Sequence, residues 1–165
     1  MILEYKLRKG AKKPQRANPS DAGLDVFFHP VDAAVSAVRL SPGENQLLST
    51  GLSFGIPHGY MLQVCNRSSM GAKRSLVVGA HIVDSGYAGE IFIDLHNIGQ
   101  DTQYVAVGEK IAQLVLVPVV HFRAREITEP STKLYDSPIT ISDRGADSLG
   151  STDEHPLNGM PVGGF

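Results

Sequence analysis

Apolar residues along this chain fall in short runs with no helical stripe. Leu24–Phe28, Val35–Leu40, Gln46–Leu48, Leu52–Ile56 and Tyr60–Val64 read as strands, and so do Leu76–Val83, Glu90–Leu95, Gln103–Val107, Ile111–Val120 and Phe122–Ile127. Turn signals separate them: Pro42-Gly43, Pro57-His58-Gly59, Ser85-Gly86, Ile98-Gly99 and Gly108. Only Ser69–Ser75 reads as a short helix, with Ser68 or Ser69 as its cap. Ile111–Val120 is too apolar for a half-exposed strand, so it is expected to be buried on both faces, inside a barrel or at a subunit contact. The pattern predicts an all-β barrel or sandwich.

Composition narrows the class. At 165 residues the chain is long enough for one core that buries about 69% of its extended surface, with no need of a staple. A single cysteine, Cys65, excludes an internal disulfide and a Cys-rich zinc site. A net charge of −2 argues against a strongly basic nucleic-acid binder. The long uncharged stretch from Gln46 to Asn66 is broken by Gly51, Gly55, Pro57 and Gly59, so it is no membrane span. Lys6, Arg8, Lys9, Lys12, Lys13 and Arg16 follow Met1-Ile2-Leu3 too closely for a secretory signal, and an intracellular compartment is expected. Residues 1–142 are expected to form the packed domain, and the acidic, Gly-rich residues 143–165 a mobile tail.

Four polar clusters interrupt the strands. Ser20-Asp21-Ala22-Gly23-Leu24-Asp25 puts a carboxylate, Asp25, at a strand start. Asn66-Arg67-Ser68-Ser69-Met70-Gly71-Ala72-Lys73-Arg74 gathers cations, hydroxyls and backbone N–H groups suited to a phosphate chain. The segment from Gly79 to Glu90 ends an apolar strand in Asp84, then raises Tyr87 on a Gly-flanked turn, and a carboxylate at an apolar mouth is a candidate general base. In the tail, Arg144 and the run Ser148-Leu149-Gly150-Ser151-Thr152 could fold over an anionic ligand.

In this order, together with Lys110-Ile111-Ala112-Gln113-Leu114, the clusters resemble the five motifs of the trimeric dUTP diphosphatase (dUTPase) family. The resemblance implies a distorted jelly-roll β-barrel with a flexible C-terminal tail. It also implies a homotrimer with its active sites at subunit boundaries, hydrolysing dUTP to dUMP and pyrophosphate. It makes Asp84 the base for a water that attacks the α-phosphorus. Mg²⁺ would join the phosphates, held by Asp25 through water. Arg67, Ser68, Ser69 and Gln113 would grip the phosphate chain, and Tyr87 would lie under the deoxyribose and crowd a 2′-hydroxyl. Backbone groups of a hairpin from Val78 through Ile82 and Val83 would read uracil. Arg144, Leu149, Gly150, Ser151 and Thr152 would close the site. No nucleic acid or membrane partner is implied.

Some positions depart from the family pattern. Asn66 replaces a proline or glycine, His81 a glycine, Gly86 an acidic residue and Lys110 an arginine. Leu149 stands for the phenylalanine that stacks on uracil, and Asp153 for a glycine. Two other readings compete. The sister dCTP deaminases share the fold, and their catalytic glutamate would fall at Asp94. A non-catalytic regulator of this fold would be expected to lack the base or the phosphate grip.

Overall fold

The computed structural model describes residues 1–128. The expected domain boundary at residue 142 and the tail residues Arg144, Leu149, Gly150, Ser151 and Thr152 lie outside the described residues. Met1–Phe122 form one compact unit, an all-β barrel of the jelly-roll type. Its strands are β1 (Tyr5–Leu7), β2 (Leu24–Phe27), β3 (Ala37–Leu40), β4 (Asn45–Ser49), β5 (Leu52–Phe54) and β6 (Tyr60–Cys65), followed by one helix, α1 (Ser68–Arg74). Then come β7 (Leu76–Val78), β8 (Ile82–Val83), β9 (Phe92–Asn97), β10 (Gln103–Ala106) and β11 (Lys110–Pro118). No described helix is long and apolar enough to cross a membrane.

Every ladder is antiparallel. The sheets run β2-β11-β6-β8, β4-β9-β7, β10-β3 and β1-β5. Among the described residues, no two strands adjacent in sequence pair with each other. Each short strand therefore finds its hydrogen-bonding partner far along the chain, and the shared core holds the sheets together. Val26, Leu40, Leu52, Leu76, Ile93, Leu95 and Ile111 are completely buried in that core. Asn97 is buried among them because its amide donates to the carbonyls of Leu40 and Asp101, at 3.0 and 2.8 Å, and accepts from Gly99 N–H at 3.0 Å.

Four expectations need correction. Leu76–Val83 is not one strand: β7 pairs with β9, β8 pairs with β6, and Gly79–His81 cross between the two sheets. Val78–Val83 is accordingly a crossing, not a hairpin. Ile111–Val120 is buried on both faces only at its start. There β2 pairs with β11 and β6 joins from Gln113, whereas from Val115 onward β6 is the paired neighbour and Val115 and Val117 stay half-buried. Phe122–Ile127 forms no strand, because alternation alone gives no ladder without a partner edge. Conversely, Tyr5–Leu7 forms β1 against β5, a pairing hidden by its charged neighbours.

Candidate functional site

The first group of site residues gathers where β2, β11 and the end of β6 meet. Asp25 lies opposite Gln113, and Gln113 opposite Cys65. The chain then leaves β6 through Asn66 and Arg67 into α1. Arg67 Nε donates to Asp25 Oδ1 at 2.9 Å, and Lys110 Nζ pairs with Oδ2 of the same carboxylate at 2.7 Å. Asp25 is thus a half-buried anchor between two cations, where a solvated turn aspartate could equally have stood. Arg67 Nη1 also reaches Ser69 Oγ and the Lys110 carbonyl, each at 3.4 Å. Lys110, which lacks the guanidinium fork, still makes the single point contact that this geometry asks for.

Arg67 is the N-cap of α1, with extended backbone (φ −88°, ψ 134°) and no side-chain cap bond. Neither Ser68 nor Ser69 caps the helix as expected; both stand exposed in its first turn, Ser69 beside the Arg67 guanidinium. Gln113 is oriented on two sides. Its Nε2 donates to the Asn66 carbonyl at 2.9 Å, and its Oε1 lies where a Cβ on Gly23 would approach to 2.5 Å. A side chain at Gly23 would therefore displace the Gln113 amide from this position. Asn66, the departure before Arg67, uses Oδ1 to accept from Val78 N–H at 2.6 Å and ties the phosphate-type loop to β7.

The second group stands elsewhere on the same sheet. Asp84 is exposed at the rim of a cavity of about 350 Å³, walled by Leu47, Ile82, Val83 and Phe92 with Tyr87 beside it. A turn carries the pair: Tyr87 N–H donates to the Asp84 carbonyl at 3.3 Å, and Gly86 takes φ +84°. That is the positive φ of a type II turn, so a glycine suits the place where an acidic residue was expected. The Tyr87 hydroxyl donates back to the Glu90 carbonyl at 2.9 Å. His81, another departure, bonds through Nδ1 to the Val64 carbonyl at 2.8 Å and pins the crossing segment to β6.

The two groups do not meet within one chain. Extending the Leu62–Val83 register puts Asp84 opposite Met61, whereas Gln113 faces Cys65. Four residues of strand put about 13 Å between them along β6, and they lie on opposite sides of that strand. No hydrogen bond or ion pair joins the groups among the described residues.

Asp94, the position the deaminase reading requires, is already occupied as a structural carboxylate. Asn45 Nδ2 donates to its Oδ1 and His96 Nε2 lies against its Oδ2, both at 2.9 Å. The Asn45 bond first, then His96, holds its pKa below the usual carboxylate range. Gly79 abuts this pair so closely that a Cβ would lie 2.3 Å from His96 Nε2 and 2.4 Å from Asp94 Oδ2.

Among the described residues, no cluster of three or more His, Cys, Asp or Glu could hold a metal directly. Asp25 has each oxygen engaged by a cation, yet each keeps a lone pair for a water. That donor set fits Mg²⁺ held through its hydration shell and does not fit a protein cage.

Sequence reasoning missed Arg8, which pairs with Glu90 across the fold at 2.8 Å. Its position among lysines reads as a solvated basic stretch, and nothing local signals the contact. The missed roles of Asn66 and Lys110 fall inside the motifs, where a departure from pattern was the only signal.

Comparison with known proteins identifies the family. The dUTPase family model matches residues 9–148. A deoxyuridine 5′-triphosphate nucleotidohydrolase of Serratia proteamaculans is 36% identical over 157 residues, covering 93% of this chain and 95% of the relative. A mutant dUTPase of Staphylococcus bacteriophage 80alpha, solved with dUpNHpp, superposes with a TM-score of 0.75 at 28% identity, covering 91% of this chain and 97% of that one. A mutant dUTPase from phage phi11 of S. aureus, described with a structural Mg(II) ion, gives a TM-score of 0.69 at 25% identity over 80% of this chain and all of that one. The family model spans most of the chain and the relative matches it nearly end to end, so the chain belongs to the dUTPase family.

Proposed function

We propose that this protein hydrolyses dUTP to dUMP and pyrophosphate, in active sites that each combine the two groups of residues from different copies of the chain. The observation that carries the reading is the division of labour inside one family member. Asp84 and Tyr87 sit together on an apolar cavity, while Arg67 and Ser69 at the start of α1 gather beside Gln113 of β11, which bonds the Asn66 carbonyl.

Asp84 receives a proton from the water that attacks the α-phosphorus. A new P–O bond forms as the bond to the leaving pyrophosphate breaks. An exposed carboxylate is a weak base, so its contribution comes mainly from holding the water in line. Arg67, Ser68, Ser69 and Gln113 bind the phosphate oxygens, with Asp25 and Asn66 fixing the angles of Arg67 and Gln113. Mg²⁺, when bound, would neutralise phosphate charge, and Asp25 would hold its water shell. Tyr87 stacks under the sugar and leaves a 2′-hydroxyl without a partner. Main-chain groups of Val78, Ile82 and Val83 read uracil, whose N3–H has no counterpart in cytosine. Arg144, Leu149, Gly150, Ser151 and Thr152 complete the site from the tail.

The assembly we propose is a homotrimer, with a second copy of the chain as the partner that covers the apolar rim. Leu47 and Ile82 are 69% and 63% exposed at the cavity beside Asp84, a patch that association between copies would cover.

Incubation with dUTP, dCTP and UTP in Mg²⁺ tests the reaction. Pyrophosphate and dUMP are expected from dUTP. Asp84→Asn keeps the shape and should lower kcat by about 100-fold or more with little change in KM. Deoxyuridine products from dCTP, or an undiminished kcat in Asp84→Asn, would overturn the reading.

A further inference from the structure

The turn that carries Asp84 and Tyr87 returns to the barrel through Glu90, whose side chain has no part in the chemistry above. We propose that Glu90, clamped by Arg8, is a positioning residue that sets the Tyr87 ring and through it the discrimination of deoxyribose from ribose. The inference rests on the dUTP reading just given.

Two observations meet at residue 90. The first is a clamp on its carboxylate. Arg8 Nη1 donates to Oε2 at 2.8 Å, Gly51 N–H donates to Oε1 at 2.8 Å, and the Ser49 hydroxyl bonds Oε1 as well. Arg8 is itself fixed, donating through Nη2 to the carbonyls of His29 and Pro30 at 2.6 and 3.1 Å and to Ser49 Oγ at 2.9 Å. Arg8 and Glu90 are only 30% and 22% exposed, and Ser49 is buried. The residue after the clamp is equally fixed: Ile91 is buried, with its N–H donating to the Leu52 carbonyl at 2.7 Å.

The second is the dependence of Tyr87 on residue 90. Tyr87 is 47% exposed, so packing alone does not fix its ring. Its hydroxyl donates to the Glu90 carbonyl, and the ring folds so tightly over Gly89 that a Cβ there would lie 2.5 Å from the hydroxyl. The clamped side chain and the carbonyl that receives Tyr87 belong to one residue. The Glu90 carbonyl shares its peptide plane with the Ile91 N–H, which Leu52 holds, so the carboxylate clamp is a second restraint on the residue that receives Tyr87. Loosening it leaves the Ile91 bond as the one hold on that carbonyl and widens the range of the ring. A stacking ring discriminates against a 2′-hydroxyl only while its position is held, so Arg8 acts on specificity through Glu90 without touching substrate.

The test compares the ratio of kcat/KM for dUTP over UTP with amide hydrogen exchange across residues 84–90. Glu90→Gln puts an amide where either Arg8 or the Ser49 and Gly51 donors must meet a donor. It should lower the ratio by about tenfold or more, with kcat on dUTP falling by less than about threefold, and should speed exchange across the turn. Arg8→Lys keeps the charge opposite Glu90 and should retain most of the ratio. Glu109→Gln breaks a pair of similar exposure, Arg74–Glu109, away from the turn, and should leave both readouts unchanged. An unchanged ratio and unchanged exchange in Glu90→Gln, or an equal fall in Glu109→Gln, would overturn the proposal. Should the native protein leave dUTP intact, the dUTP reading fails, and the exchange comparison alone decides whether the clamp holds the turn.

Discussion

At the scale of single residues, this barrel sets four carboxylates in four different surroundings. Asp25 is neutralised by Arg67 and Lys110, Glu90 is clamped by Arg8, and Asp94 is paired with Asn45 and His96. Asp84, by contrast, stands exposed at an apolar rim. Their sequence contexts gave little help in telling them apart, because the partners are remote. Arg67 lies 42 residues from Asp25, and Asn45 lies 49 from Asp94. Asp94 carries a pH prediction. Its folded pKa is depressed by Asn45 and His96, so its stabilisation is complete above the unfolded carboxylate's pKa and is lost as pH falls through the folded value. Asp94→Asn should therefore melt about 2–4 °C below the native protein at pH 7, with the gap closing below about pH 4. Thermal melts across that range would show a constant gap if the carboxylate's charge were irrelevant.

At the scale of elements, most strands were legible within a residue or two, since apolar runs bounded by Gly and Pro have little choice but to pair. The errors share one cause. Which strand pairs with which is decided at a distance, so Leu76–Val83 looked continuous although two sheets compete for it, and Phe122–Ile127 alternated without a described partner. The helix shows a local compromise. Ser75 ends α1 at φ 53°, a left-handed conformation that a side chain adopts at a cost of about 1–2 kcal/mol. Its N–H still satisfies the Gly71 carbonyl, and its own carbonyl receives Ile98 N–H at 2.9 Å. Ser75→Gly should raise stability by about 1 kcal/mol, read as a higher urea midpoint at unchanged slope. A lower midpoint would mean that the packing of Ser75 against Gly99 outweighs the strain.

At the scale of the whole molecule, the separation of Asp84 from Arg67 makes a prediction that no single-chain site would satisfy. Asp84→Asn and Arg67→Ala should each be inactive alone. Unfolded, mixed in equal amounts and refolded together, they should recover about a quarter of native turnover, the share of sites that draw each intact half from the right copy. No recovery would argue that each chain works alone. The motifs, their order and the all-β class were set by the sequence itself, because residue chemistry and short-range alternation are local properties. Tertiary structure alone decided that Asp25 anchors Arg67, that Arg8 reaches Glu90, that Asp94 is closed against Gly79, and that Asp84 and Arg67 stand apart. Those are distances between remote parts of a chain whose described strands do not pair with their immediate neighbours, and packing around the common core sets them.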